Sequence, residues 1–168
     1  QKTFDAIVAT PLSLEEVVIG EMIWGATKGM LYGGIVLGVI AALGLASFPL
    51  LLIVIPFSFL FGLLASALAM CCTALAPTID SFNYATFLLI TPMFLFSGTF
   101  FPLNILPESV QTIVLIVLPL PHAVIISRQL MVNSINLGQM LLSFTWIGIA
   151  TTVLFVLAVI AMNRKIIK

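Results

Sequence analysis

Four long apolar runs dominate this chain: Gly25 to Ala46, Leu50 to Ala76, Tyr84 to Phe101 and Leu141 to Met162. Each holds the roughly 17–25 residues that a helix needs to cross a hydrocarbon core about 30 Å thick. In lipid no water can satisfy a backbone N–H or C=O, so these groups must be bonded within their own segment. The four runs are therefore predicted to be transmembrane helices of an all-α integral membrane protein. Composition agrees. The chain is 62% hydrophobic and 7% charged, with a mean hydropathy of +1.30; a soluble domain carries about 25% charged residues. A net charge of zero gives no electrostatic footprint for nucleic acid. The first residue is Gln1 and no signal peptide precedes the first run, so the chain is expected to be a piece of a longer protein, or a processed one.

The stretch between the last two runs does not fit a simple span. It carries Pro102, Pro107, Pro119 and Pro121. Its apolar parts, Ser109 to Leu118 and His122 to Val132, each reach only about half a bilayer at 1.5 Å per residue. Proline breaks a helix interior but suits a first turn, so Pro107 followed by Glu108 reads as a helix start, and so does Pro121. Two half-helices joined by a proline turn are predicted.

Charge selects the topology. Lysine and arginine favour the cytoplasmic side. With four full spans both chain ends share a side: Lys2, Lys28, Arg164, Lys165 and Lys168 lie inside, and Arg128 alone lies outside. A fifth span would split the same six residues three against three. The expected fold has four transmembrane helices, both ends cytoplasmic, and an extracytoplasmic re-entrant helical hairpin within residues 102–140. Broken helices at membrane depth survive only where protein or a water-filled cavity surrounds them, so the hairpin is expected to pack on the spans.

Residues 1–24 form a different, amphipathic segment. Phe4, Ile7 and Val8 repeat at helical spacing, in a short helix expected to end near Thr10. Then comes "TPLSLEEV", from Thr10 through Pro11 and Leu12 to Val17. Ser13 and Glu16 stand at the positions of a capping box, and Leu12 and Val17 at those of a hydrophobic staple. Glu15 and Glu16 fall in the first turn, where the helix dipole favours acid. A new helix is expected to start at Ser13 and run into the first span. Small residues recur every four positions, as Gly25, Gly29 and Gly33, again as Gly34, Gly38 and Ala42, and as Gly62 and Ser66; such ladders let helix backbones approach closely.

Catalytic motifs are sparse. No glycine-rich loop ending in Lys-Ser or Lys-Thr is present, so no nucleotide site is expected on this chain. The single histidine, His122, has no metal-ligand spacing around it; it is expected as a polar cap at a half-helix start. Cys71 and Cys72 are adjacent, with Cα atoms about 3.8 Å apart, too close for an ordinary disulfide, and are expected to be free thiols. Asp80 is expected in a turn capping the next helix. Glu108 and Arg128 are expected to set hairpin depth at the interface, with a polar substrate headgroup as the alternative. Phe94, Phe96, Phe100 and Phe101 are expected as interface and core packing.

Three stretches carry a family likeness: "ATPLSLEEVVIGEMIW" at Ala9–Trp24, "LLITPMFLFSGTFFPLNILPESVQ" at Leu88–Gln111 and "LPLPHAVIISRQL" at Leu118–Leu130. With the spacing of the spans, the chain resembles the membrane subunit of type-2 ABC exporters, and most closely the NodJ-like lipo-oligosaccharide permease branch. The resemblance implies a six-span fold of which this chain would begin after the second span. It implies a permease in the bacterial or archaeal cytoplasmic membrane, paired with a second copy and with ATP-binding cassette subunits that hold the ATP and Mg. It places ATPase coupling on Phe4, Thr10, Pro11, Leu12, Ser13, Glu15 and Glu16. It places an outer gate on Ser97, Gly98, Phe101, Pro102, Pro107, Glu108, Pro119, Pro121, His122 and Arg128. The rival readings are a membrane-embedded enzyme acting on lipid-like substrates, and a non-transporting scaffold subunit. The first needs clustered acids or histidines, whereas Asp80, Glu108 and His122 fall in separate segments.

Overall fold

The computed structural model describes residues 13–45, 48–76, 79–132 and 134–166. Within them the chain forms helices α1 (Leu14–Ala42), α2 (Phe48–Leu75), α3 (Ile79–Leu95), α4 (Glu108–Val117), α5 (Pro119–Met131) and α6 (Leu137–Ile166), with a short 3₁₀ turn at Leu103–Ile105. Phe4, Thr10, Pro11 and Leu12, and with them the expected first amphipathic helix and the staple, lie outside the described residues.

The start of α1 follows the sequence closely. Ser13 N–H donates to Glu16 Oε2 at 2.7 Å, and Glu16 N–H donates to Ser13 Oγ at 3.3 Å. This reciprocal pair satisfies two groups that a helix N-terminus otherwise leaves bare. From there α1 runs unbroken through the first apolar run. Lys28 Nζ lies 4.8 Å from the centre of the Trp24 ring, a cation–π contact between two residue types that favour membrane interfaces.

Helix α2 is the centre of the bundle and touches α1, α3, α5 and α6. Its seam with α1 is built from small residues. A Cβ added at Gly29 would lie 3.7 Å from Gly62 Cα, and one at Gly33 would lie 3.0 Å from Ser58 Oγ. A Cβ at Gly62 would come within 2.8 Å of Ala26 Cα, closer than packed backbone allows. The second ladder behaves differently: around Gly34 and Gly38 nothing lies within 4 Å, so that face is open.

Two buried clusters fix the ends of the bundle. At one end Val18 and Met22 of α1 pack with Ala67 of α2 and with Ala158 and Met162 of α6. At the other, Leu37 of α1 and Val54 and Phe57 of α2 pack with Ala123, Ile126 and Leu130 of α5 and Ile147 of α6. The start of α1 and the end of α6 therefore share one end, and α5 sits at the other. Helix α3 must carry the chain between them.

Three helices among the described residues are long and apolar enough to cross a membrane: α1, α2 and α6. Helix α3 has 17 residues, a length of about 26 Å against a hydrocarbon core of about 30 Å. The expected run Tyr84–Phe101 is shifted: α3 starts at Ile79 and ends at Leu95, because the chain turns at Gly98, which has φ +84°, a left-handed conformation that suits glycine. Asp80 accordingly belongs to the first turn of α3 rather than to a preceding turn.

Helices α4 and α5 meet at a 98° bend at Leu118. With 10 and 13 residues their axes reach about 15 and 20 Å, and at that angle about 23 Å end to end, short of the roughly 30 Å core. The two halves are buried unequally. Seven of the 13 residues of α5 are buried, including Pro119, Pro121 and Ile126, whereas in α4 Val114 alone is buried and Ile113, Ile116 and Val117 are exposed. Only the second half-helix packs as the whole pair was expected to.

The glycine seam yields a contrast. Gly62→Leu should destabilise the protein by about 1–3 kcal/mol through overpacking against Ala26, read as a lower unfolding midpoint in detergent. Gly34→Ala and Gly38→Ala should leave the midpoint unchanged or slightly raise it.

Candidate functional site

The α4–α5 joint is determined by a missing donor. In a continuous helix the N–H of residue 119 would bond the Leu115 carbonyl, but position 119 is proline and has none. Leu118 N–H still reaches the Val114 carbonyl at 2.9 Å, and there the helix ends. The Leu115 carbonyl is taken instead by His122 Nε2 at 2.7 Å. The opposite ring nitrogen, Nδ1, lies 3.2 Å from Ser143 Oγ on α6. A carbonyl only accepts, so Nε2 carries the proton; in the neutral ring Nδ1 then accepts from the Ser143 hydroxyl. The imidazole is stacked on Trp146 of α6, with centroids 4.6 Å apart and planes 20° apart. His122 is 2% exposed. It thus joins α4, α5 and α6, which corrects its expected role as a polar cap at a half-helix start. The start itself moves to Pro119 at the first helical position, so Pro121 falls inside the first turn.

A second link ties this pair to the end of α3. Arg128 of α5 donates from Nη2 to the Gly98 carbonyl at 2.7 Å. The turn is stiffened from within: Ser97, fully buried, donates from Oγ to the Phe94 carbonyl at 2.7 Å and contacts Thr99 Oγ1 at 2.7 Å. Phe94 and Phe100 stack edge to face at 5.2 Å. Ser97, Gly98 and Arg128 are therefore brought together. Phe101, Pro102, Pro107 and Glu108 lie on the exposed connection and at the exposed head of α4.

Sequence reasoning missed one organiser. Gln129, buried on α5, donates to Gln139 Oε1 at 2.8 Å and accepts from Asn136 N–H at 3.2 Å. Asn136 caps α6, its Oδ1 accepting from Gln139 N–H at 3.3 Å. The signal was present as an Asn three residues before a Gln at a helix start; the partnership with Gln129 had no local signal.

Beneath Arg128 lies a cleft of about 670 Å³ between α1, α2 and α5. Gly25, Gly29, Phe61 and Gly62 form part of its apolar wall, and Ser66, Ser127 and Arg128 contribute polar groups. No group of three or more His, Cys, Asp or Glu that could hold a metal is found among the described residues. Cys71 and Cys72 are free thiols, as expected, and Cys71 Sγ donates to the Leu154 carbonyl of α6 at 3.3 Å.

The model of the ABC-2 type transporter membrane family matches residues 1–132. The chain belongs to that family. It is 42% identical over 135 residues to Nodulation protein J of Rhizobium meliloti, covering 80% of this chain and 51% of that protein. With Nodulation protein J of Sinorhizobium fredii the identity is 34% over 167 residues, or 99% of this chain and 63% of that one. With the protein of the same name from Rhizobium leguminosarum bv. trifolii it is 41% over 133 residues, 79% and 50% of the two. The chain thus spans between 50% and 63% of the length of these relatives. No solved structure matches.

Removing the imidazole tests the joint. His122→Ala should cost about 1–3 kcal/mol by stranding the Leu115 carbonyl, and Ser143→Ala about 0.5–1.5 kcal/mol. The double variant should cost less than the sum of the two. Unfolding midpoints of the purified protein check all three.

Proposed function

We propose that this chain is the membrane-spanning permease subunit of an ATP-driven exporter, moving amphipathic or lipid-linked cargo outward across a bacterial or archaeal cytoplasmic membrane. Lipo-oligosaccharide, polysaccharide-lipid and drug-like cargo all fall within that class, the first favoured by the likeness to Nodulation protein J. The observation that carries the reading is the shared end of α1 and α6, with the bent α4–α5 pair held at the opposite end. This arrangement supports an even number of crossings, with both chain termini cytoplasmic and the pair re-entrant from the outer face. The pair's reach of about 23 Å, shorter than the about 26 Å of α3, favours the same topology.

The mechanism joins the two ends. The capped head of α1, with Ser13, Glu15 and Glu16, follows the segment that holds Phe4, Thr10, Pro11 and Leu12; together they form the docking surface for the ATPase. Closure of the ATPase pushes this head, and α1 transmits the push along its glycine seam to α2. At the outer face, the Ser97–Gly98 turn, Phe101, Pro102 and the pair from Pro107 and Glu108 through Pro119, Pro121 and His122 to Arg128 form the gate. Because His122 fastens α4 and α5 to α6, the gate moves with α6, and the Arg128–Gly98 bond is its separable contact. A second copy of the chain completes the pathway. Helix α3 supports this assembly: it touches its neighbours sparingly and exposes Tyr84, Phe87 and Leu88.

Two measurements test this function. Glu15→Lys with Glu16→Lys, in the complete transporter, should uncouple ATP hydrolysis from export; Glu16→Gln alone keeps the capping box and should stay coupled. Normal export by the double variant would remove the docking assignment. Cysteines placed at Asn104 and Ser134, both exposed, should react with a membrane-impermeant maleimide from outside the cell. Labelling from opposite sides would instead make the pair part of a fifth crossing.

A further inference from the structure

The cleft between α1, α2 and α5 is chemically lopsided. Among the described residues that line it, Arg128 is the one with a charge and none is a carboxylate. A guanidinium has five N–H donors, and Gly98 is its one hydrogen-bonded partner among the described residues. Two hydroxyls in the lining are also uncommitted. Ser58 returns its hydroxyl to the Val54 carbonyl four residues earlier, at 2.8 Å. Ser66 and Ser127 have no hydrogen-bond partner among the described residues. The rest of the lining is largely glycine, alanine, leucine and phenylalanine.

The shape is as informative as the chemistry. On α2 the lining extends from Phe57 to Ala69, about 18 Å of helix rise, comparable with the roughly 15 Å acyl depth of a single leaflet. Trp24 and Lys28, next to the lining glycines Gly25 and Gly29, are exposed on α1, so the flank of the cleft has lateral access to the surrounding bilayer.

We infer that this cleft binds an acidic lipid of the surrounding bilayer, its anionic head on Arg128 and one acyl chain along the α1–α2 seam. Arginine's planar fork suits a phosphate or carboxylate, and the unused N–H groups supply the donors. Ser127 and Ser66 add hydroxyls along the way. The apolar length below takes the chain without requiring any polar group to be stranded. The inference rests on the membrane-embedded reading above, but not on the direction or identity of transport.

The test uses the protein purified with its ATPase subunit in nanodiscs. Two probes with the same diazirine-bearing acyl chain are compared, one a phosphatidylglycerol and one a phosphatidylcholine. The acidic probe is expected to crosslink residues 57–69 and 120–131 on the order of tenfold more than the zwitterionic one, the value of one charge-assisted pair. Arg128→Gln keeps an amide donor for the Gly98 carbonyl but no charge, and should bring the acidic probe down to the zwitterionic level. Arg128→Lys should retain most of the preference. Ser66→Phe fills the cleft without touching Arg128 and should lower labelling by both probes. Equal labelling of the unsubstituted protein by the two probes would overturn the site, whether or not Arg128→Gln folds. So would unchanged labelling in a folded Arg128→Gln. Labelling should be the same with and without ATP, in active and hydrolysis-deficient transporters alike. Labelling lost on ATP turnover would mark the amphiphile as cargo and overturn its assignment as a resident lipid.

Discussion

Proline at position 119 leaves the Leu115 carbonyl without a helical partner, and one imidazole resolves the consequences. In lipid an unpaired carbonyl is costly, since no water is available to it. His122 stands three residues beyond the proline, so its ring reaches back across the break to Leu115. The same ring reaches sideways to Ser143 and lies on Trp146. A local defect in one helix thereby becomes a tertiary joint among three. The bend at Leu118, the burial of α5 and the docking of the pair on α6 are linked through that side chain.

The remainder of the bundle is held by close contact. Between helices immersed in hydrocarbon there is little hydrophobic driving force, because lipid tails are as apolar as leucine. Association depends on how near the backbones come. The α1–α2 seam gains that proximity from Gly29 facing Gly62 and from Gly33 facing Ser58. At the two ends, Val18 with Met162 and Ile126 with Ile147 belong to separate packed clusters. A seam of small residues with packed ends favours helices that shift as units rather than bend.

Membership in the ABC-2 family gives these parts a context, and the structure gives them connections. The capping box makes the head of α1 a fixed start. The Arg128–Gly98 bond joins the α3 end to α5, while His122 joins α5 to α6. The first is a single hydrogen bond at a partly exposed site; the second is two hydrogen bonds and a ring stack at a buried one. Relative motion at this end is therefore easier across the first joint than across the second.

The sequence by itself determined whatever depends on neighbours along the chain. Apolar run length gave the three helices long enough to cross a membrane, Ser13 and Glu16 gave the helix start, and Pro107 and Pro119–Pro121 gave two half-helices. The glycines of the first ladder were legible as a seam because spacing of four places them on one face. Which ladder was used was not legible: Gly25, Gly29 and Gly33 meet α2, while Gly34 and Gly38 meet nothing within 4 Å. The end of α3 was missed because Phe96 to Phe101 continue the apolar run, and only the left-handed turn at Gly98 stops the helix. The partners of His122, Arg128 and Gln129 were decided by tertiary structure alone. Each lies on another helix or across a loop, and a hydrogen bond between segments depends on how those segments cross, which no local pattern of residues encodes.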